Sequence, residues 1–174
     1  MTNLDIYEKP AKIVFLSIGS NLGDKKQNIE IAKNKLRKKN IEIVESSKNY
    51  ESFSWPNKNN PKFINIILKI RTKLSPIDLL DNCLKIEKQM GRVRNKKYEP
   101  RICDIDIIDY NGEIIDNYFN KGLVLPHPQM HKRNFVLIPL FEISKNWIHP
   151  LKKANINRLI SSLKIEDLRT IKLV

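Results

Sequence analysis

Residues 102–110 constrain the fold more than any other stretch, because apolar, mostly β-branched residues alternate there with aspartates and the run ends at Asn111-Gly112. Asn-Gly after such a run is the strongest short hairpin-turn signal, so a strand with a tight turn is predicted, returning over 113–116. Strand side chains alternate between faces: Cys103, Ile105 and Ile107 point one way, and Asp104 and Asp106 the other, with their β-carbons about 7 Å apart. One face feeds a core and the other presents two carboxylates.

Immediately upstream stand Arg92, Arg94 and Arg101. A hard divalent cation such as Mg²⁺ takes oxygen ligands and is commonly held by one or two carboxylates plus substrate phosphates. Guanidinium forks match phosphate oxygens two at a time and stay charged. Carboxylates for metal beside arginines for phosphate suggest phosphoryl-type transfer. An Asp-x-Asp strand by itself is better read as a solvated edge, with its acids paired to nearby arginines. Two like charges one pleat apart, however, repel unless a cation lies between them, which favours metal binding.

With 174 residues, 41% hydrophobic and 29% charged, the chain fits a single globular domain. Its net charge of +13 admits nucleic acid, an anionic surface or a polyanionic small substrate, although much of the excess lies in lysine-rich helical runs such as 33–39. Cys83 and Cys103 fall at core-facing positions and read as buried thiols of a reducing compartment. No stretch is as long as a membrane span, and the apolar run at 13–18 is too short for a signal segment, so a cytoplasmic protein is expected.

Residues 1–11 read as a flexible polar leader, and 12–174 as one domain. The run at 13–18 is a central strand, ending in the turn Gly19-Ser-Asn21-Leu-Gly23-Asp24 before a helix with Ile29, Ala32 and Leu36 on one face. That turn lacks the Gly-Lys-Ser/Thr of a phosphate loop and reads as a simple strand-to-helix connection. A second strand starts at 41–44. The segment from Tyr50 to Pro61, with Ser52, Phe53 and Trp55, has no regular period and reads as a loop that either packs on the body or covers a ligand.

Residues 63–74 form the third strand, with Ile64, Ile66, Leu68 and Ile70 on one face and Phe63 and Asn65 on the other, where an aromatic and an amide could hold a flat heterocycle. Ser75-Pro76 opens a helix whose stripe of Leu80, Cys83 and Leu84 ends in Glu87, an acid that must pair with an arginine or touch ligand. Pro126-His127-Pro128 fixes an imidazole in a rigid turn, as a ligand contact, a proton donor or a structural turn. A short apolar helix follows at 136–143. His131 and His149 read as surface residues, and a final amphipathic helix carries Ile156, Leu159, Ile160 and Leu163.

Taken together, Gly19-Ser-Asn21-Leu-Gly, Phe63-x-Asn65, Glu87-x3-Gly91-Arg-x-Arg94, Pro100-Arg101-x2-Asp104-x-Asp106 and Pro126-His127-Pro128-x4-Arg133-x-Phe135 resemble the 6-hydroxymethyl-7,8-dihydropterin pyrophosphokinases of folate biosynthesis over about residues 12–150. The resemblance implies an α+β fold: a ferredoxin-like αβα sandwich with a four-stranded antiparallel core sheet plus an additional hairpin. It implies transfer of pyrophosphate from ATP to the pterin hydroxymethyl group with release of AMP, assisted by two Mg²⁺ ions on Asp104 and Asp106. Asp106, Arg92 and Arg101 would be catalytic, with Asp106 as base. Glu87, Arg92, Arg94, Tyr98, Arg101, Ile107, Lys121, His127 and Arg133 would bind ATP; Ser52, Trp55, Phe63, Asn65 and Phe135 would bind the pterin.

The chain departs from the family pattern in three places. Tyr50-Glu-Ser52-Phe-Ser54-Trp55-Pro56 replaces Tyr-x-Thr-x-Pro-x-Gly, Glu99 stands where glycine is usual, and Lys121 alone represents an expected basic residue. A nucleic-acid module would need clustered basic and aromatic residues without acids beside them, and is not expected. A metal-dependent phosphohydrolase would share the carboxylates but not the pterin. A monomer free of membrane and nucleic-acid partners is expected.

Overall fold

The apolar run at 13–18 forms the middle of β1 (Lys12–Ser20), whose residues from Val14 onward are all buried, as a strand covered on both faces requires. A computed structural model describes residues 10–55, 57–92, 99–116 and 122–174. The expectations for Arg94, Tyr98, Lys121, Pro56 and most of the leader fall outside these residues. On one side β1 pairs antiparallel with β4 (Phe63–Thr72), in a register running from Lys12–Thr72 to Ser20–Ile64. On the other it pairs antiparallel with β5 (Asp104–Tyr110). β2 (Glu42–Ser46) and β3 (Tyr50–Ser52) both pair with β4, and β6 (Lys172–Leu173) extends the sheet beyond β3. Among the described residues the sheet therefore has six strands, all paired antiparallel.

Two cores lie against its two faces. On one side Val14, Leu16, Ile18, Ile64, Ile66, Leu68, Ile70, Ile105 and Ile107 meet α1 (Lys25–Arg37) through Ile29, Ala32 and Leu36, and α2 (Pro76–Gln89) through Leu79, Cys83 and Ile86. On the other, Phe15, Ile67 and Ile108 pack with α3 (Asn134–Ile143) and α4 (Ile156–Ser161) through Val136, Leu137, Leu140, Ile156 and Leu159. A short helix, α5 (Ile165–Leu168), leads into β6. Both cysteines are buried thiols in the first core.

Several sequence expectations are corrected here. Tyr50–Ser52 is a strand and not loop, because β4 is long enough to pair with β2 and then, farther along, with β3. The α2 stripe is rotated toward Leu79 and Ile86, while Leu80 and Leu84 are only half-buried. Asn111 and Gly112 make the predicted turn with positive φ, and Glu113 N–H donates to Tyr110 O at 2.9 Å. The described residues 113–116 form no ladder with β5; Ile115 instead makes a single bridge with Leu125, while Asn111 N–H donates to Ile13 O. His149 is buried: its Nδ1 accepts from the N–H groups of Leu151 and Lys152, and its ring packs against Trp147 and half-buried His131.

Candidate active site

The site is centred on Gly19 near the end of β1. In the sheet register Gly19 lies between Asn65 of β4 and Asp104 of β5, and Ser17 lies between Ile67 and Asp106. Neighbouring strands are about 4.8 Å apart, so a single strand separates the amide from the first carboxylate. A β-carbon at Gly19 would approach Asn65 Oδ1 to 2.9 Å and the Phe63 ring to 3.2 Å. The strand passes there only because the side chain is missing. Sequence reasoning treated this glycine as part of a plain turn.

The alternation predicted for β5 holds where it matters. Ile105 and Ile107 enter the core, and Asp104 and Asp106 share the opposite face. A bulge in the β1–β5 pairing near Phe15 then redirects the strand, so that Ile108 joins the second core and buried Asp109 accepts a hydrogen bond from Trp147 Nε1 at 2.7 Å.

Each carboxylate is met by a cation. Asp104 Oδ1 accepts from Arg92, and its Oδ2 accepts from Arg101 Nη2 at 2.5 Å. Burial would raise the pKa of Asp104, but the guanidinium charges of Arg101 and Arg92 hold it below the usual carboxylate range. Glu87, 2% exposed at the end of α2, accepts from Arg92 Nη1 at 2.5 Å and from Ile105 N–H at 2.8 Å. That is the pairing expected of an acid on an apolar face.

Asp106 Oδ2 lies 3.3 Å from Arg133 Nη1 and 3.8 Å from His127 Nε2. Its pKa is raised, first by burial and then by the charge of Asp104, with His127 and Arg133 offsetting only part. His127 is shifted down, chiefly by burial, which keeps it neutral near pH 7. Its Nδ1 accepts from Gln129 N–H at 3.1 Å, so the proton of the neutral ring resides on Nε2, facing Asp106. The cluster thus sets three carboxylates (Glu87, Asp104, Asp106) against three guanidiniums (Arg92, Arg101, Arg133).

The aromatic half adjoins it. Phe63 is buried, and the Arg101 guanidinium lies 5.1 Å from its ring centre. Arg133 lies 5.2 Å from the ring of Trp55 and 5.7 Å from that of Phe135. Asn65 Nδ2 donates to Ser52 Oγ at 2.9 Å, and the Ser52 hydroxyl in turn donates to Phe53 O, which orients the amide. Two buried nitrogens, Nε of Arg101 and Nε of Arg133, have no hydrogen-bond partner among the described residues. On the Arg101 side a cleft of about 290 Å³ is lined by Leu22, Gly91, Arg92, Glu99, Pro100, Arg101 and Ile102. Ile107 contributes its side chain to the core.

Comparison with known proteins decides the relationship. The sequence profile described as 7,8-dihydro-6-hydroxymethylpterin-pyrophosphokinase (HPPK) matches residues 15–145. The chain belongs to the HPPK family. Similar HPPK relatives include the 2-amino-4-hydroxy-6-hydroxymethyldihydropteridine pyrophosphokinase of Aquifex aeolicus, 43% identical over 79% of this chain and 84% of that protein. The folic acid synthesis protein FOL1 of Dictyostelium discoideum is 44% identical over 84% of this chain, which spans only 22% of FOL1. A Plasmodium falciparum HPPK-DHPS crystal structure superposes with a TM-score of 0.73 over 99% of this chain and 49% of that one, at 15% identity, and so speaks for the HPPK fold alone. Among the described residues no helix is long and apolar enough to cross a membrane.

Proposed function

We propose that this chain transfers the pyrophosphoryl group of ATP to the hydroxymethyl oxygen of 6-hydroxymethyl-7,8-dihydropterin, releasing AMP, as a step of folate biosynthesis. The observation that carries this reading is the juxtaposition at Gly19: an aromatic and an amide, Phe63 and Asn65, one strand away from the carboxylate pair. The unpartnered Nε groups of Arg101 and Arg133 support it, since a buried donor without an acceptor is costly and a triphosphate would satisfy both.

Asp104 and Asp106 fit Mg²⁺ by donor type, and a cation would offset both the burial and, after it, the Asp104 charge that disfavour ionised Asp106. Two such ions, when bound with ATP, would neutralise the triphosphate and acidify the attacking hydroxyl. The chain's own residues do the rest. Arg92, Arg101 and Arg133, now engaged with carboxylates, would exchange those partners for phosphate oxygens, with Arg94 and Lys121 adding charge. Glu87 holds Arg92 at the junction, and the cleft beside Gly91 and Ile102, with Tyr98, would receive the nucleoside, while Ile107, a core residue, takes no part in it.

His127, with its proton on Nε2, would donate to a phosphate oxygen. Phe63 and Phe135 would stack on the two faces of the pterin, Asn65 would read its edge, and Trp55 with Ser52 would close that side. In the transfer the hydroxymethyl oxygen bonds to the β-phosphorus, the α–β bridging bond breaks toward AMP, and the hydroxyl proton passes to Asp106 as base.

The strand order β5-β1-β4-β2 with intervening α1 and α2 supports a ferredoxin-like αβα sandwich with a four-stranded core, to which β3 and β6 add an edge. The protein is read as a monomeric cytoplasmic enzyme without nucleic-acid or membrane partners.

The test is AMP release with ATP, Mg²⁺ and 6-hydroxymethyl-7,8-dihydropterin, each omitted in turn. AMP formed only with all three, together with a pyrophosphorylated pterin, is the expected result; ATP hydrolysis without pterin would point to a phosphohydrolase. Asp106→Ala is expected to lower turnover at least about a hundred-fold, with thermal unfolding still cooperative.

A further inference from the structure

One buried carboxamide touches both halves of the site. Asn21 is 2% exposed, two residues beyond Gly19. Its Oδ1 accepts from Arg101 N–H at 2.6 Å, and its own N–H donates to Arg101 O at 3.1 Å. Its Nδ2 donates to Pro61 O at 3.1 Å. The first two bonds hold the backbone of the residue whose guanidinium meets Asp104 and Phe63. The third holds the end of the segment that carries Trp55 and enters β4 at Phe63.

All three of these partners are loop backbone atoms. Asn21 therefore acts on the paths of two loops and not on a reacting group. The residue type follows from the demand: a short side chain must present an acceptor to one loop and a donor to the other. Aspartate would keep the acceptor but turn a carboxylate toward the Pro61 carbonyl; alanine would leave both loops unheld.

We propose that Asn21 is a positioning residue that couples the arginine segment to the aromatic segment, so that filling one side of the site orders the other. This rests on the reading of the two segments as phosphate-binding and pterin-binding. Coupling of this kind is reciprocal, and linked sites typically change one another's affinity by about 5- to 150-fold. Loss of one of the connecting hydrogen bonds is expected to reduce that factor roughly five-fold.

The experiment is calorimetric titration of the full chain with 6-hydroxymethyl-7,8-dihydropterin, with and without a non-hydrolysable ATP analogue and Mg²⁺. Wild type is compared with Asn21→Asp and Asn21→Ala, and a thermal melt of each variant reports the fold. Asn21→Asp is expected to bind the analogue nearly as wild type does but to show a coupling factor reduced about five-fold, because only the Pro61 donor is lost. Asn21→Ala is expected to weaken both ligands and bring the factor toward unity. If Asn21→Ala does not fold, Asn21→Asp still decides.

A coupling factor of unity in wild type, or one unchanged in Asn21→Asp, overturns the proposal, as does a uniform weakening of both ligands that merely follows the loss in melting temperature. A wild type that releases pterin-dependent AMP without coupling sinks this inference alone. A wild type that releases none sinks the functional reading, and this inference with it.

Discussion

Gly19 shows how much a missing side chain can determine. A methyl group there would stand 2.9 Å from the Asn65 amide oxygen and 3.2 Å from the Phe63 ring, closer than packed atoms tolerate. Both neighbours are buried, so neither can swing away freely. Gly19→Ala is therefore expected to raise KM for the pterin roughly ten-fold, corresponding to about 1.4 kcal/mol of overpacking, with a smaller effect on KM for ATP. Steady-state kinetics with each substrate varied would test this; equal effects on both constants would count against Gly19 as the floor of the pterin side.

Glu87 makes the complementary case, a charge that can be buried because Arg92 and the Ile105 N–H satisfy it. Glu87→Ala leaves Arg92 short of a partner and is expected to cost about 3 kcal/mol in urea denaturation. A change below about 0.5 kcal/mol, the size typical of surface sites, would mean that the pair contributes nothing net.

At the scale of elements, the site depends on where strands and helices end. α2 starts at a capped Ser75, whose side chain accepts from Asp78 N–H, and ends where Glu87 and Gly91 turn the chain toward the arginines. Ser75→Ala should lower stability by about 1 kcal/mol while leaving both KM values unchanged, since the cap lies at the helix end remote from Glu87. Matched denaturation and kinetic measurements would separate the two effects.

The other layer is tied down by side chains of α3. Glu142 accepts from Tyr50 O–H and Lys48 N–H, and the Asn134 side chain reaches Thr170 Oγ1 at 3.1 Å. Burial and the Glu142 carboxylate raise the Tyr50 hydroxyl to about 12, so it remains a donor throughout the working range. Through these contacts β3, which carries Ser52, and α3, which carries Phe135, keep a fixed relation.

For the molecule as a whole, stability should depend on pH through a residue given no part in the proposed chemistry. Burial, with nearby His131 and Lys152, depresses His149 from 6.5 to about 4. Between those values the unfolded chain binds a proton that the folded chain refuses. The stability associated with neutral His149 is fully present above about pH 6.5 and is lost as pH falls through about 4. One proton limits the slope to about 1.4 kcal/mol per pH unit. His149→Gln is expected to flatten the stability profile between pH 6.5 and 4, measured by denaturation at several pH values; an unchanged slope would assign the acid sensitivity to other groups.

Much of the architecture, and the faces on which several candidate site residues lie, was legible in the chain because it rests on local periodicity. Alternation over 102–110 placed Ile105 and Ile107 inside and Asp104 and Asp106 together outside, and alternation over 63–70 put Phe63 and Asn65 on a shared face. Ser75-Pro76 announced a helix start, and the isolated acid at Glu87 called for an arginine or a ligand, of which the structure shows the arginine. These features depend on residues a few positions apart, whose geometry the backbone alone dictates.

What only the tertiary structure decided involves residues distant in sequence. The pairing of Tyr50–Ser52 with β4, the bulge that carries Asp109 to Trp147 and the burial of His149 have no local period to reveal them. The same is true of the place of Gly19 between Asn65 and Asp104, and of the reach of Asn21 to both Pro61 and Arg101. A strand's neighbours are set by long-range pairing and close packing. A short polar side chain then takes whichever backbone groups that packing leaves within its reach.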